Sequence, residues 1–358
     1  MSARPDLIVV GAGISGLASA LWLFESGLKP IVIPAPELPD LLPPLDLSLA
    51  LPWHRSGVLN QLERRGMVLL PELMTRLAQD TGVDLVLEHR NLLVVSPIVG
   101  GEADRQTPEW KALVQGPVAS FEPQFSEGYQ PVWCLPDRPT VRSDRLARAL
   151  SLALTRRGVD ILGHRSAKRL EVTGNIVRGV ELNNREFIAA EATVMASDCA
   201  CTAILHESGL ETIVGGARLA PALQFAPSSA ALTCALVEPS MLLAPRADGR
   251  LVALSNLGAV ESEILTLNEL RRRVHSRLPG LGRHDLEQSG RLQVPDSVRQ
   301  ASVGAYPGVR GLWLNMGHAA FGPIMAPAAA EFLSEQLAGG AAVDELEPVF
   351  SPSMQPSC

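Results

Sequence analysis

A glycine-rich turn near the start of the chain constrains the fold more than any other feature. Gly11, Gly13 and Gly16 form a G-x-G-x-x-G pattern that directly follows the apolar stretch 7–10. Apolar residues then recur at helical spacing as far as Gly27, and a second apolar stretch, 30–33, follows. A strand, turn, helix and strand in this order are typical of domains that bind dinucleotides. The sequence therefore predicts an α/β protein with a buried parallel sheet.

Each glycine of this turn has a physical role in the interpretation. Gly11 permits the tight turn, Gly13 lets the backbone approach a pyrophosphate, and Gly16 brings helix and strand close together. The free N–H groups and the positive end of the helix dipole then face the phosphates. The alternative is a structural glycine-rich turn that binds nothing. The predicted cofactor-binding residues of the turn are Gly11, Ala12, Gly13, Ile14, Ser15 and Gly16.

The acidic residue that usually binds the ribose hydroxyls is not at its usual place. It normally follows the second strand directly, whereas this chain has Pro34-Ala35-Pro36 there and Glu37 only afterwards. Three alternatives remain open: Glu37 binds the ribose, a backbone group replaces it, or ribose binding is weakened.

Composition and charge exclude some classes of function. The chain has 358 residues, of which 46% are hydrophobic, and it carries a net charge of −7. The most prominent basic run, Arg271 to Arg273, is typical of the solvated face of a helix. We therefore expect a globular protein that does not bind nucleic acid.

The distribution of apolar residues and cysteines indicates the compartment. No apolar run reaches the roughly 18 residues of a membrane span, and the first predicted strand begins at Leu7, so we expect neither a membrane span nor a signal peptide. Five scattered cysteines do not form a disulfide framework. The Cys199/Cys201 pair lacks a second pair or a histidine cluster, which favours a structural role over a redox or metal site. We expect a cytoplasmic protein without a metal site.

Local patterns along the chain predict further elements. A helix is expected over about 56–79 and another over about 266–278. Ser143 is expected to cap an amphipathic helix, and Asp198 is expected to cap a helix over 199–207. Short strands are expected at 159–162, 168–173, 176–182 and 185–189, and residues 193–196 are expected to return to the central sheet.

An ordered series of different motifs extends over nearly the whole chain. The segment from Leu7 to Gly27 is followed by Leu51-Pro52-Trp53 and Leu70-Pro71-Glu72-Leu73, and later by Phe121-Glu122-Pro123 and the segment from Val141 to Leu150. The final motifs are Ala244-Pro245-Arg246-x-Asp248-Gly249-Arg250, Gly311-Leu312-Trp313-Leu314-x-x-Gly317-His318, Gly322 and Ala326-Pro327. In these motifs the chain resembles the D-amino-acid-oxidase superfamily of flavoproteins, and within it the bacterial glycine oxidases of thiamine biosynthesis.

The resemblance implies a Rossmann-like FAD-binding domain and a second, β-rich (α+β) substrate domain. It also implies that FAD oxidises an amine at the carbon beside a carboxylate, and that oxygen or another acceptor then regenerates the flavin. The FAD-binding domain is expected to be discontinuous. The predicted ranges are 1–84, 140–215 and 305–340 for the FAD-binding domain, 85–139 and 216–304 for the substrate domain, and 341–358 for a tail.

The last motif contributes further predicted site residues. A helix beginning at Gly322-Pro323 would direct its N–H groups at the flavin and favour the anionic reduced form. His318 is either a hydrogen-bond donor beside the flavin or a structural histidine. The predicted cofactor-binding residues outside the glycine turn are Glu37, Ser197, Gly317, His318, Gly322, Pro323, Ile324 and Met325. The predicted catalytic residues are Arg291 and His318.

The chain departs from the family at several flavin and substrate positions. Pro43-Pro44-Leu45 replaces small residues beside the flavin, and Ala196-Ser197-Asp198 replaces Ala-Ala-Gly. Ala320 stands where the family has an arginine that holds the substrate carboxylate, and Leu242 stands where it has a tyrosine. The family's other carboxylate arginine has only Arg291 within one position, which we take as the candidate clamp.

The main hypothesis is an FAD-dependent oxidoreductase that oxidises a small amine, amino acid or imino compound by hydride transfer to the flavin. The alternative is a catalytically impaired family member that serves as a binding or scaffold subunit of a larger flavoprotein complex. A dehydrogenase that uses NAD is disfavoured because the C-terminal motif belongs to the flavin pattern. The expected partner is a small-molecule substrate, and homo- or hetero-oligomers are possible.

Overall fold

The computed structural model describes residues 5–37, 58–85, 87–95, 114–126, 132–211, 217–227, 232–246, 248–255, 265–282, 285–295, 302–318 and 322–339. The helices are α1 Ile14–Glu25, α2 Val58–Thr81, α3 Ser143–Arg156, α4 Asp198–Glu207, α5 Leu267–Arg277 and α6 Gly322–Leu337. The strands of the first half are β1 Leu7–Val10, β2 Pro30–Ile33, β3 Leu87–Val95, β4 Val114–Gly116, β5 Val132–Val141, β6 Ala167–Thr173, β7 Ile176–Leu182 and β8 Phe187–Ala189. Those of the second half are β9 Ala192–Met195, β10 Ala217–Phe225, β11 Ala235–Glu238, β12 Met241–Pro245, β13 Leu251–Ser255, β14 Leu286–Pro295, β15 Ser302–Ala305 and β16 Leu312–Met316.

The central sheet has the strand order β15-β16-β9-β1-β2. Strands β16, β9, β1 and β2 are parallel, and β15 adds an antiparallel edge. All four residues of β1 are buried. Leu7 and Val9 belong to one hydrophobic core, whereas Ile8 and Val10 belong to a second core that includes side chains of β6 and β7. The predicted return of residues 193–196 to this sheet is confirmed, since β9 pairs with both β1 and β16.

Helix α6 packs against both α1 and α2 beside the central sheet. The buried apolar side chains of these helices belong, together with Leu7 and Val9 of β1, to the largest hydrophobic core. The packing matters for function because it fixes the two helices whose first turns lie at the glycine-rich turn.

A second sheet, of eight strands, has the order β14-β10-β13-β12-β11-β3-β5-β4. Its pairs are antiparallel except for β11 with β3. Helix α5 packs against β10 and β13. A third sheet has three strands in the order β6-β7-β8. The predicted α/β class is confirmed, and the domain boundaries stay a prediction.

Several predicted boundaries need correction. Residues 159–162 contain no strand but a single bridge between Ile161 and Val32. Ser143 is the first helical residue of α3 rather than its cap, and Arg142 occupies the cap position without a side-chain capping bond. Asp198 is likewise the first residue of α4, and Ser197 stands at its cap. Local sequence predicts both of these helices correctly but places their first residue one position off.

Within the described residues, no helix combines the length and apolar character that a membrane span requires.

Candidate cofactor site

Gly11 joins β1 to the turn in a conformation that only glycine adopts easily. Its φ is +124°, and its N–H donates to the carbonyl oxygen of Ile33 at 2.8 Å. A Cβ atom built on Gly11 would lie 2.5 Å from the carbonyl oxygen of Ala196. Since β1, β2 and β9 all end here, the glycine lets three carboxyl ends of the sheet meet without a side chain between them.

Gly16 and Gly13 have opposite surroundings. A Cβ on Gly16 would lie 1.9 Å from the carbonyl oxygen of Gly11, so α1 packs directly on the turn. A Cβ on Gly13 would meet nothing within 4 Å, and Gly13 is exposed. The turn therefore presents bare backbone to open space at the first turn of α1, which is the geometry that a pyrophosphate requires.

A second helix begins next to this turn. Helix α6 starts at Gly322, and a Cβ built there would lie 3.6 Å from Oγ of Ser15, an ordinary contact distance. Pro323 stands in the first turn, where its missing N–H costs little. The positive ends of α1 and α6 thus converge on one region, which favours a bound anion.

His318 lies in a buried hydrogen-bond network that also involves Asn315, Ser19 and Ser15. The His318 side chain is 2% exposed, and its Nε2 atom lies 2.5 Å from Oδ1 of Asn315. Asn315 Nδ2 donates to Ser19 Oγ at 2.8 Å, and Ser19 Oγ donates to the carbonyl oxygen of Ser15 at 2.8 Å. Because the Asn315 amide nitrogen faces Ser19, its oxygen must accept from His318, which assigns a proton to Nε2.

The remaining predicted cofactor residues differ in how they face this region. Ser197 lies against Gly11, since its Cβ would be 3.2 Å from a Cβ on that glycine. Gly317 has a φ of +87° and links β16 to His318. Ala12 and Glu37 are both exposed, and Glu37 lies at the end of its described segment.

The side chains of Ile324 and Met325 face the protein interior. Both are fully buried in the hydrophobic core. Only their backbone groups, in the first turn of α6, are placed to serve a cofactor. The prediction for these two residues therefore narrows to their main chain.

Arg291 lies apart, on edge strand β14 of the eight-stranded sheet. It stands opposite Pro221, which shares a sheet face with Phe225, and the Phe225 ring contacts His275 of α5. Arg291 is therefore on the face where α5 packs, and its side chain is exposed.

Leu242 lies on the other face of the same sheet. It stands opposite Leu254, which stands opposite Ala222, the residue after Pro221. Leu292 stands opposite Ala220 and so shares the face of Leu242. The resemblance assigns Leu242 and Arg291 to one substrate, but side chains on opposite faces cannot both contact it. This placement argues against Arg291 as the clamp.

Glu63 on α2 is a titratable group that sequence reasoning did not single out. Burial raises the pKa of its carboxyl to about 8, and the charges of Arg138 and Arg64 oppose this rise only in part. No group of three or more potential metal ligands occurs among the described residues. Pro43-Pro44-Leu45 and Ala320 lie outside those residues, as do residues 341–358.

The structure thus brings together the glycine turn, Ser197, residues 315–318 and the start of α6, and it leaves Arg291 on another sheet. Sequence reasoning missed Ser19 and the role of Asn315. The available signal was an amide side chain within the otherwise apolar strand β16.

Comparison with known proteins supplies an independent finding. The model of a family described as "DAO: FAD dependent oxidoreductase" matches residues 6–336. A glycine oxidase from Pseudomonas aeruginosa is 25% identical over 382 residues, which cover 97% of either chain.

Solved structures show the same fold. The glycine oxidase from Geobacillus kaustophilus has a TM-score of 0.78 at 18% identity, with 99% of this chain and 100% of that chain covered. The L-amino acid deaminase from Proteus vulgaris has a TM-score of 0.75 at 17% identity, with 98% and 94% covered.

Proposed function

We propose, from the premise that the chain belongs to the DAO family of FAD dependent oxidoreductases, that it oxidises a small amine, amino acid or imino compound. FAD is the cofactor of this family, and when bound it would supply an acceptor for the hydride of the carbon beside the substrate nitrogen. In this proposal the glycine turn and the first turn of α6 bind and orient the cofactor.

The observation that carries the proposal is that two helices begin at the glycine turn: α1 follows Gly13, and α6 begins at Gly322, beside Ser15. Gly13 offers the open space that a pyrophosphate would fill, and the first turn of α1 offers its free N–H groups. The residues present therefore fit a dinucleotide at this turn. The first turn of α6 adds a second positive end, which favours a cofactor that becomes anionic when reduced.

His318 serves the cofactor site as a positioning residue in this proposal. Its Nε2–H group donates to Oδ1 of Asn315, and Nδ2 of Asn315 donates to Oγ of Ser19 on α1. The network holds residues 315–318 against α1 and so fixes the chain that leads from β16 to α6. This arrangement favours the structural alternative for His318 over direct donation from Nε2 to the flavin.

The substrate proposal is narrower than the family's. Leu242 and Leu292 are both buried and share a sheet face. Since both side chains are apolar, neither can bind a substrate carboxylate. A bidentate arginine is the usual means of holding a carboxylate. We therefore favour a substrate whose recognition does not depend on a carboxylate bound at this face.

Two further proposals concern the setting of the protein. The buried cysteines Cys134, Cys201 and Cys234 form no disulfide among the described residues, which supports a reducing, cytoplasmic compartment. A homo- or hetero-oligomer also remains a proposal, which light scattering of the purified protein tests.

An absorbance spectrum followed by anaerobic reduction tests the function. The purified protein should show bound oxidised flavin, with bands at about 370 and 450 nm. A panel of small amines, with and without a carboxylate, should then bleach the band at the longer wavelength. Bound flavin that no member of the panel reduces would favour the scaffold alternative, and protein that cannot bind FAD would overturn the proposal.

A further inference from the structure

We propose that Gly66 of α2 is a positioning residue for the cofactor, because it fixes the first turn of α6. This inference rests on the proposed function, since it takes α6 to act on bound FAD. It concerns a residue far from the glycine turn in sequence and without any charge or hydrogen-bonding side chain.

Gly66 lets two helix backbones touch. A Cβ atom on Gly66 would lie 1.8 Å from the carbonyl oxygen of Ile324 and 2.9 Å from its carbonyl carbon. The next nearest atom is the Cα of Met325, at 3.6 Å. All these atoms belong to the backbone of the first turn of α6, so no flexible side chain can move aside to make room.

The neighbouring residue holds the same helix pair further along α6. Arg65 Nε donates to Glu331 Oε2 at 2.7 Å, and Arg65 Nη2 donates to Glu331 Oε1 at 2.8 Å. The fork-like pairing fixes direction as well as distance. Glu331 lies about two helical turns beyond Ile324, so α2 is attached to α6 at two separate points.

The opposite side of α6 is also in contact. Ser15 of α1 lies beside Gly322, and α1 and α6 pack closely along their lengths. The first turn of α6 is therefore held between α1, which begins at the glycine turn, and α2. A side chain at residue 66 must move α6 or α2 by roughly 1 Å or more, and misplacements of that size can cost up to about a hundredfold in function.

Helix propensity by itself favours alanine over glycine at this position. Glycine inside a helix is less favourable than alanine because the unfolded chain has more conformational freedom at glycine. Without the contact to Ile324, Gly66→Ala would therefore stabilise α2. The contact reverses this expectation, which makes the substitution a sharp test.

The test compares Gly66→Ala with Gly163→Ala. Gly163 is exposed, and a Cβ there would meet nothing within 4 Å. We expect Gly66→Ala to weaken FAD binding by about tenfold or more and to make the midpoint potential of the bound flavin more negative, because the positive helix end moves away. Gly163→Ala should change neither quantity. Circular dichroism checks that both variants are folded.

A second pair of variants decides the matter if Gly66→Ala does not fold. Arg65→Glu should weaken FAD binding and lower the midpoint potential, and combining it with Glu331→Arg should restore much of both. If Gly66→Ala or Arg65→Glu has the FAD affinity and the flavin midpoint potential of the wild type, this inference is overturned and the proposed function still stands. A wild-type protein that binds no FAD would overturn the proposed function and this inference together.

Discussion

Asn315 Nδ2 donates to Ser19 Oγ at 2.8 Å, which joins strand β16 to helix α1 inside the core. The two residues are 296 positions apart in the chain. The same amide accepts from His318 through its oxygen. One buried side chain therefore couples the helix that follows the N-terminal glycine turn to the segment that leads into α6.

Replacing Asn315 by leucine should destabilise the protein by about 1–3 kcal/mol, because Ser19 and the Nε2 proton of His318 lose a buried partner. Urea denaturation of the two proteins measures the difference. Ser19→Ala serves in a double-mutant cycle, in which the two changes should not be additive. An Asn315→Leu protein with the stability of the wild type would show that the network contributes nothing to the fold.

Replacing Gly13 by valine should abolish FAD retention and leave the apoprotein folded, because its Cβ enters open space where the pyrophosphate is proposed to lie. Gly16→Ala should instead destabilise the apoprotein, by roughly 1–3 kcal/mol, because its Cβ meets the carbonyl oxygen of Gly11. Thermal unfolding and the ratio of flavin to protein distinguish these effects. Stoichiometric FAD in purified Gly13→Val would mean that the cradle lies elsewhere.

Glycine and other small free amino acids should be poor substrates. Ala320 stands where the resemblance implies an arginine that holds the substrate carboxylate. Losing such a charge-assisted hydrogen bond costs roughly 1.5–3 kcal/mol, or about ten- to a hundredfold in affinity.

Arg291→Ala should leave the dissociation constant of a carboxylate ligand unchanged, because Arg291 lies on the face where α5 packs. Titration of the flavin spectrum measures both. Robust oxidation of glycine, or tenfold weaker carboxylate binding in Arg291→Ala, would contradict this expectation.

The free energy of unfolding should fall as pH rises from about 4.5 to about 8. Burial raises the pKa of Glu63 from 4.5 to about 8, so the folded protein binds a proton that the unfolded chain releases in this window. The slope attributable to Glu63 is at most about 1.4 kcal/mol per pH unit. Glu63→Gln should flatten the dependence, and Glu72→Gln, at an exposed site on the same helix, should not. Equal slopes in wild type and Glu63→Gln would refute the assignment.

The sequence by itself determined the unit from β1 to β2. The apolar stretches 7–10 and 30–33 are the observed strands, and α1 occupies the predicted place between them. These elements follow from local rules, since a continuous apolar run and the sterics of glycine act within a few residues. The helix expected over 266–278 is observed over Leu267–Arg277, with Thr266 and Glu269 forming a capping box.

Only the tertiary structure decided which face a side chain uses and what it meets there. Arg291 and Leu292 point to opposite faces of β14 because of the strand pleat. The register of β14 against β10 decides that Arg291, and not Leu292, takes the face where α5 packs. Gly66 carries no local signal for its contact with Ile324, because the two residues meet only when α2 and α6 pack. The pKa of Glu63 likewise depends on burial by distant segments. Each of these properties arises from groups that are far apart in sequence, so propensity and spacing determine the elements and packing determines the site.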